Sequence, residues 1–162
     1  MADRFVDNYL LYLLARASKE ISSQFHDRLK QHGLQVSEWR VLASLSDGNG
    51  MTLGELAARA LQRQPTMTKI VDRMERGGLV ERHPGAKDRR QVRVFITCDG
   101  RRQVSEALRD AKKHEAEVLS DYSDSEAAQL KSILRALVER NGASGEASSD
   151  VYRNLSGLKD DQ

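Results

Sequence analysis

Two runs near the middle of this 162-residue chain hold side chains suited to gripping an anionic polymer. In the first, from Gln64 to Met74, the apolar residues Met67, Ile70, Val71 and Met74 recur at helical spacing. Removing that stripe leaves Gln64, Thr66, Thr68, Lys69, Asp72 and Arg73 on the outer face. Amides, hydroxyls and cations near a helix N-terminus are the groups that reach base edges and phosphates in a major groove. The N-terminus itself also favours phosphate. A solvated polar face would look the same in isolation, so the second run matters. Lys87, Asp88, Arg89 and Arg90 cluster in a turn-rich stretch where like charges repel and no apolar side chain is buried. Asp88 can brace one arginine by a charge-assisted bond while the other stays free. An arginine on a thin arm suits a narrow minor groove. The two runs lie within 30 residues of each other and share a sign of charge, and together they are far more specific than either alone.

The elements that must position them can be read outward from there. Thr52 and Glu55 form a capping box that opens a short helix with Leu53, Leu56, Ala57 and Ala60 inward. Pro65 suits the first position of the next helix, and Gly77-Gly78 end it. After Gly78 the period switches to alternation, giving strands over residues 79–83 and 91–96 with the basic loop between them. Two short helices followed by a hairpin are the layout of a winged helix. Upstream, apolar residues at Leu10, Leu13, Leu14, Ala17, Ile21, Phe25 and Leu29 predict one long helix over about 4–31, stopped by Gly33. A second helix begins near Ser37 and runs to the turn at residues 47–50. Downstream, Thr97 can cap a helix carrying Val104, Leu108, Ala111 and Val118. Ser123 and Glu126 form another capping box, opening a helix with Leu130, Ile133, Leu134, Leu137 and Val138. From Asn141 on, Gly, Ser, Ala and Asp predict a flexible tail, with a short helix around residues 151–155.

Charge supports the same division. Residues 1–58 carry −1, residues 59–102 carry +7 and residues 103–162 carry −4, against a chain total of +2. A basic block between acidic flanks points to an anionic partner met by the middle third alone. With 39% hydrophobic and 31% charged residues and a mean hydropathy of −0.61, the chain has material for one core and no excess. Its longest apolar run, residues 9–15, is far short of the roughly 20 residues of a membrane span. No signal peptide is expected, and the single Cys98 suits a reduced, cytoplasmic protein. His26, His32, His83 and His114 are scattered, so no metal or other cofactor is expected. There is no phosphate loop, Gly-X-Ser-X-Gly or paired nucleophile and base, and nothing argues for an enzyme.

The run from Pro65 to Arg82 resembles the recognition helix and first wing strand of MarR-type transcriptional regulators. Asp88-Arg89-Arg90 followed by Val94, Ile96 and Thr97 is similar to that family's wing motif, and Trp39-Arg40-Val41-Leu42 to its second helix. The resemblance spans roughly residues 5–140. It implies a mainly α fold with a small β-hairpin wing, a winged helix-turn-helix carrying a helical dimerisation domain made from the terminal helices. The expected limits are 1–34 for the N-terminal dimerisation helix, 35–97 for the DNA-binding domain, 98–141 for the C-terminal dimerisation helices and 142–162 for the tail. The implied function is a sequence-specific regulator, a ligand-responsive repressor acting as a homodimer on a pseudo-palindromic double-stranded DNA operator. Gln64, Pro65, Thr66, Thr68, Lys69, Arg73, Lys87, Arg89 and Arg90 are the expected DNA contacts, with Asp88 as the wing brace. Dimerisation also has a physical warrant, because the terminal apolar stripes exceed what a small winged helix can cover. The family's ligand crevice would fall to Tyr9, Tyr12 and Arg16 together with Trp39 and Arg40, which suit a small aromatic acid or phenol. The competing and simpler reading makes Tyr12 and Trp39 core or interface aromatics and Arg16 an ion-pair partner. Two other readings compete. One is a winged helix used for protein contacts alone, which would be expected to lose the polar helix face and wing arginines kept here. The other is a redox-responsive regulator using Cys98, at a helix N-terminus that lowers a thiol pKa, although redox members of the family carry theirs on the first helix.

Overall fold

The computed structural model describes residues 4–48, 50–85 and 90–142. Lys87, Asp88, Arg89 and the expected tail beyond Gly142 lie outside the described residues, as does Asn49. In chain order the elements are α1 (Phe5–Asn8), α2 (Leu10–Gln31), α3 (Val36–Leu45), α4 (Leu53–Arg59), α5 (Gln64–Arg76), β1 (Val80–Pro84), β2 (Val92–Ile96), α6 (Cys98–Val118) and α7 (Asp124–Gly142). The described residues fall into two compact units, one within residues 22–112 and one made of residues 4–21 and 113–142.

The first of these units holds the core. Leu29 and Leu34 from the end of α2 and its turn, Val41, Leu42 and Leu45 from α3, and Leu56 from α4 are buried together. Met67, Ile70, Val71 and Met74, the stripe read from sequence, close the cluster from α5. Val80, Val94 and Ile96 join it from the hairpin, and Val104 and Ala107 from α6. The strands pair antiparallel from Val80↔Ile96 to Pro84↔Val92. Met51 adds a one-residue third rung, exchanging backbone bonds with Val94 at 3.0 and 2.7 Å.

Local signals account for most boundaries. Thr52 accepts from the Glu55 amide at 3.2 Å while the Glu55 carboxylate accepts from the Thr52 N–H at 2.7 Å, the expected box. Those bonds hold the Glu55 carboxyl below its ordinary range. Ser123 and Glu126 make the same reciprocal pair ahead of α7. Thr97 caps α6, accepting from Gly100 N–H at 3.0 Å and donating to the Gly78 carbonyl at 2.7 Å. Gly78, at φ +73°, ends α5 in a left-handed turn.

Three boundaries differ from expectation. The single helix over 4–31 is broken at Tyr9, whose extended backbone ends α1 and starts α2. The apolar period runs straight through this residue and so hides the break. The next helix starts at Val36 with Gln35 as its cap, because Gln35 and Glu38 form a capping box that outcompetes Ser37. Pro65 stands one residue inside α5, which begins at Gln64.

The second unit comprises α1, the first half of α2, the end of α6 and α7. Lys131 on α7 pairs with Glu115 on α6 at 3.0 Å. Its apolar side chains are largely exposed, among them Phe5, Leu10, Leu13, Ile133 and Val138.

Candidate nucleic-acid interface

The candidate interface is built on α5. Its inner stripe is locked in the core, which turns Gln64, Pro65, Thr66 and Lys69 fully outward and leaves Thr68 half-buried. The Thr68 hydroxyl donates to the Gln64 carbonyl at 3.1 Å, leaving its oxygen lone pairs as acceptors. These residues occupy the first turn and a half of the helix, where unpaired backbone N–H groups also point outward. No acidic side chain stands in that first turn.

The second half of α5 is engaged within the protein. The Arg73 guanidinium donates to Glu38 Oε1 and Gln35 Oε1, each at 3.0 Å, which ties the helix to the start of α3. Asp72, placed on the outer face by sequence reasoning, accepts from Arg82 Nη2 at 2.6 Å. Glu75 accepts from Arg82 Nη1 and, at 3.2 Å, from the Arg82 backbone N–H. Arg82 was not among the expected functional residues. Its signal in the sequence was a charged residue at an inward position of a strand, between Val80 and Pro84.

The hairpin that carries the wing is anchored on its other strand as well. Arg93 donates to the Gly50 carbonyl at 2.8 Å and lies 3.6 Å from the Glu55 carboxylate. Gly50 adopts φ +59°, and a Cβ there would overlap the Phe95 ring, so both conformation and space require glycine. Arg90, the described wing arginine, is exposed.

The five residues expected to hold a ligand divide between the two units. In one, the Tyr9 ring stacks on Phe5 with centroids 5.3 Å apart, and Tyr12 and Arg16 are exposed. In the other, Trp39 meets Phe25 edge to face at 5.3 Å. Arg40 Nη1 donates to the Ala60 carbonyl at 3.1 Å, and burial holds its pKa below the ordinary value. Arg40 therefore caps the C-terminal end of α4 from α3. Cys98 is exposed at the start of α6. Among the described residues, no group of three or more His, Cys, Asp or Glu is placed to hold a metal ion. No helix among them is long and apolar enough to cross a membrane.

A short helix, a tight turn, a second helix with a polar outer N-terminal face and an attached antiparallel hairpin define a winged helix-turn-helix DNA-binding protein. The family model described as "MarR family" matches residues 32–91, from the end of α2 to the wing. The crystal structure of the MarR family transcriptional regulator SPO1453 from Silicibacter pomeroyi superposes with a TM-score of 0.75 at 47% identity, covering 85% of this chain and 98% of that one. The transcriptional activatory protein BadR of Rhodopseudomonas palustris is 30% identical over 152 residues, 88% of this chain and 86% of BadR. The homoprotocatechuate degradative operon repressor of Escherichia coli is 27% identical over 129 residues, 80% and 87% of the two chains. The chain belongs to the MarR family and is a DNA-binding transcriptional regulator.

Proposed function

We propose that the protein acts as a homodimer on a pseudo-palindromic operator and represses transcription until a small ligand releases it. The observation that carries the DNA-reading part is the exposed, acid-free N-terminal half of α5. Gln64, Pro65, Thr66, Thr68 and Lys69 meet base edges and phosphates in the major groove. Arg89 or Arg90, with Lys87 beside them and Asp88 as brace, reaches the minor groove. Arg73 keeps its bonds to Glu38 and Gln35 and steadies the helix, adding a phosphate contact where the backbone passes close. The exposed apolar residues of α1, α2 and α7 support the dimer, since water-facing phenylalanine and valine on α1 and leucine and isoleucine on α2 and α7 are costly. Two-fold symmetry then places the recognition helices about 34 Å apart, one DNA turn.

The test is selection of bound duplexes from a random-sequence library with the purified protein. Two half-sites in inverted repeat, about one turn apart, are the expected result. Recovery of single half-sites, or of no preferred sequence, would overturn the proposal.

For the ligand, the favoured class is a small aromatic acid or phenol. Each unit offers matching groups of its own: Tyr9 and Tyr12 with Arg16 in one, and Trp39 with the half-buried Arg40 guanidinium in the other. The degradative-operon repressor similar to this chain is named for an aromatic acid, which favours the same class. Ligand that loosens DNA must bind the DNA-free form better, by about 1–3 kcal/mol of coupling. A thermal-shift screen of aromatic acids and phenols, with hits retested for release of the selected duplex, decides it. Hits that stabilise the protein and leave DNA affinity unchanged refute the switch, and hits unaffected by both Arg16→Ala and Arg40→Gln place the ligand elsewhere.

A further inference from the structure

Two carboxylates on a recognition helix need an explanation, because acids near a DNA backbone repel it. Asp72 and Glu75 lie one turn apart on α5 and both bind Arg82 of β1. Strand alternation assigns position 82 to the inner face. Its register partner is Val94, and Val80 and Ile96 on the same face are buried. The guanidinium follows that face to α5 and is three-quarters covered. Burial opposes its charge, and the two carboxylates more than offset that, so its pKa lies above the ordinary value.

The covalent link between α5 and β1 is Gly77-Gly78-Leu79, a junction with wide conformational freedom. Val80 and Ile96 fix the base of the hairpin in the core, whereas Val92 near its far end is exposed. Arg82 lies between those ends and joins the two DNA-facing elements directly. A planar guanidinium shared by two carboxylates fixes direction as well as distance.

We propose that Arg82, with Asp72 and Glu75, is a positioning residue that sets the wing against the recognition helix so that both engage one duplex in register. This rests on the DNA-contact reading of α5 and the wing given above. The acids on α5 are internal anchors whose charge is spent on Arg82.

The experiment uses the full chain, the selected duplex and the Asp72→Asn/Glu75→Gln variant. That variant is two charges more positive, so simple electrostatics makes it bind DNA more tightly. Positioning makes it bind at least fivefold more weakly, with its melting temperature showing that it is folded. The fivefold or larger cost of the more damaging of Arg89→Ala and Arg90→Ala in the parent, the wing-arginine effect, should also shrink to less than twofold in this background. Arg82→Gln is a second variant expected to behave the same way. Tighter or unchanged binding, or an undiminished wing-arginine effect, overturns the positioning role. If neither Arg89→Ala nor Arg90→Ala costs anything in the parent, the wing-contact reading itself fails and this role falls with it; a parental cost that persists in the variant leaves that reading standing and removes the positioning role alone.

Discussion

Leu61 is a non-glycine residue held at φ +56°, and it sits in the turn between α4 and α5. Its N–H donates to the Ala58 carbonyl at 3.2 Å and that of Gln62 to the Ala57 carbonyl at 2.8 Å, so the left-handed residue closes α4 as a glycine would. A side chain in that conformation costs roughly 1–2 kcal/mol, and Leu61 is too exposed to recover much by packing. Leu61→Gly is expected to stabilise the fold by about 1 kcal/mol, raising the melting temperature by about 2–4 °C for a chain of this size. A lower melting temperature would show that the leucine packs to more effect than its exposure suggests. On the outer face of α5, Lys69→Ala should weaken binding to all sequences alike and reduce the slope of log affinity against log salt by about two, one for each protomer of the proposed dimer. Unequal losses across sequences would make Lys69 a base reader instead. The polar face that carries Lys69 was legible because it is the remainder of a periodic apolar stripe. The roles of Arg82 and Arg40 were not, since their partners are side chains 7 and 10 residues away in another element, or a backbone carbonyl 20 residues on. Local pattern carries no term for such pairs.

At the scale of elements, the readable signals were the ones written in adjacent residues. Thr52/Glu55, Thr97 and Ser123/Glu126 mark helix starts because each cap is satisfied within one turn. The hairpin was readable from the change of period after Gly78, while the rung from Met51 was not, being a single residue without alternation. The break at Tyr9 escaped because one extended residue does not disturb an apolar stripe. Where an element meets another, sequence gives residue type and structure gives the reason. Gly100, in the first turn of α6, shows this. A Cβ there would overlap the Leu79 carbonyl oxygen and press on Ile96, so α6 can approach the base of the hairpin because position 100 has no side chain. The obstacle is backbone, which cannot rotate away. Gly100→Ala should therefore destabilise the fold by about 1–3 kcal/mol, the range for forced overpacking, read as a lower denaturant midpoint. An unchanged midpoint would mean that α6 shifts freely and does not fix the hairpin.

At the scale of the molecule, the apolar content that the sequence carries is spent unevenly. The winged unit buries its stripes almost completely, whereas α1, α2 and α7 leave large apolar residues facing water, with Phe5 78% and Val138 71% exposed. In the proposed dimer a second copy supplies the cover, over about 800 Å² of surface per protomer, the size of an ordinary specific interface. It also supplies the second recognition helix. On that reading dimer stability and operator affinity are coupled, because two linked half-site contacts gain roughly 10²–10⁴ in affinity over separate ones. Ile133 on α7 is half-exposed in the single chain. Placing a lysine there leaves a monomer unharmed but buries an unpaired charge in a dimer, at a cost of several kcal/mol. Ile133→Lys should sediment as a monomer at micromolar concentration while keeping the parent's helical content. Its affinity for the selected duplex should fall at least a hundredfold and its salt slope by about half, since half the phosphate contacts are lost. A parent that already sediments as a monomer, or a variant that stays dimeric and binds as the parent does, would show that α7 does not form the interface and that the apolar helices of this unit are covered in some other way.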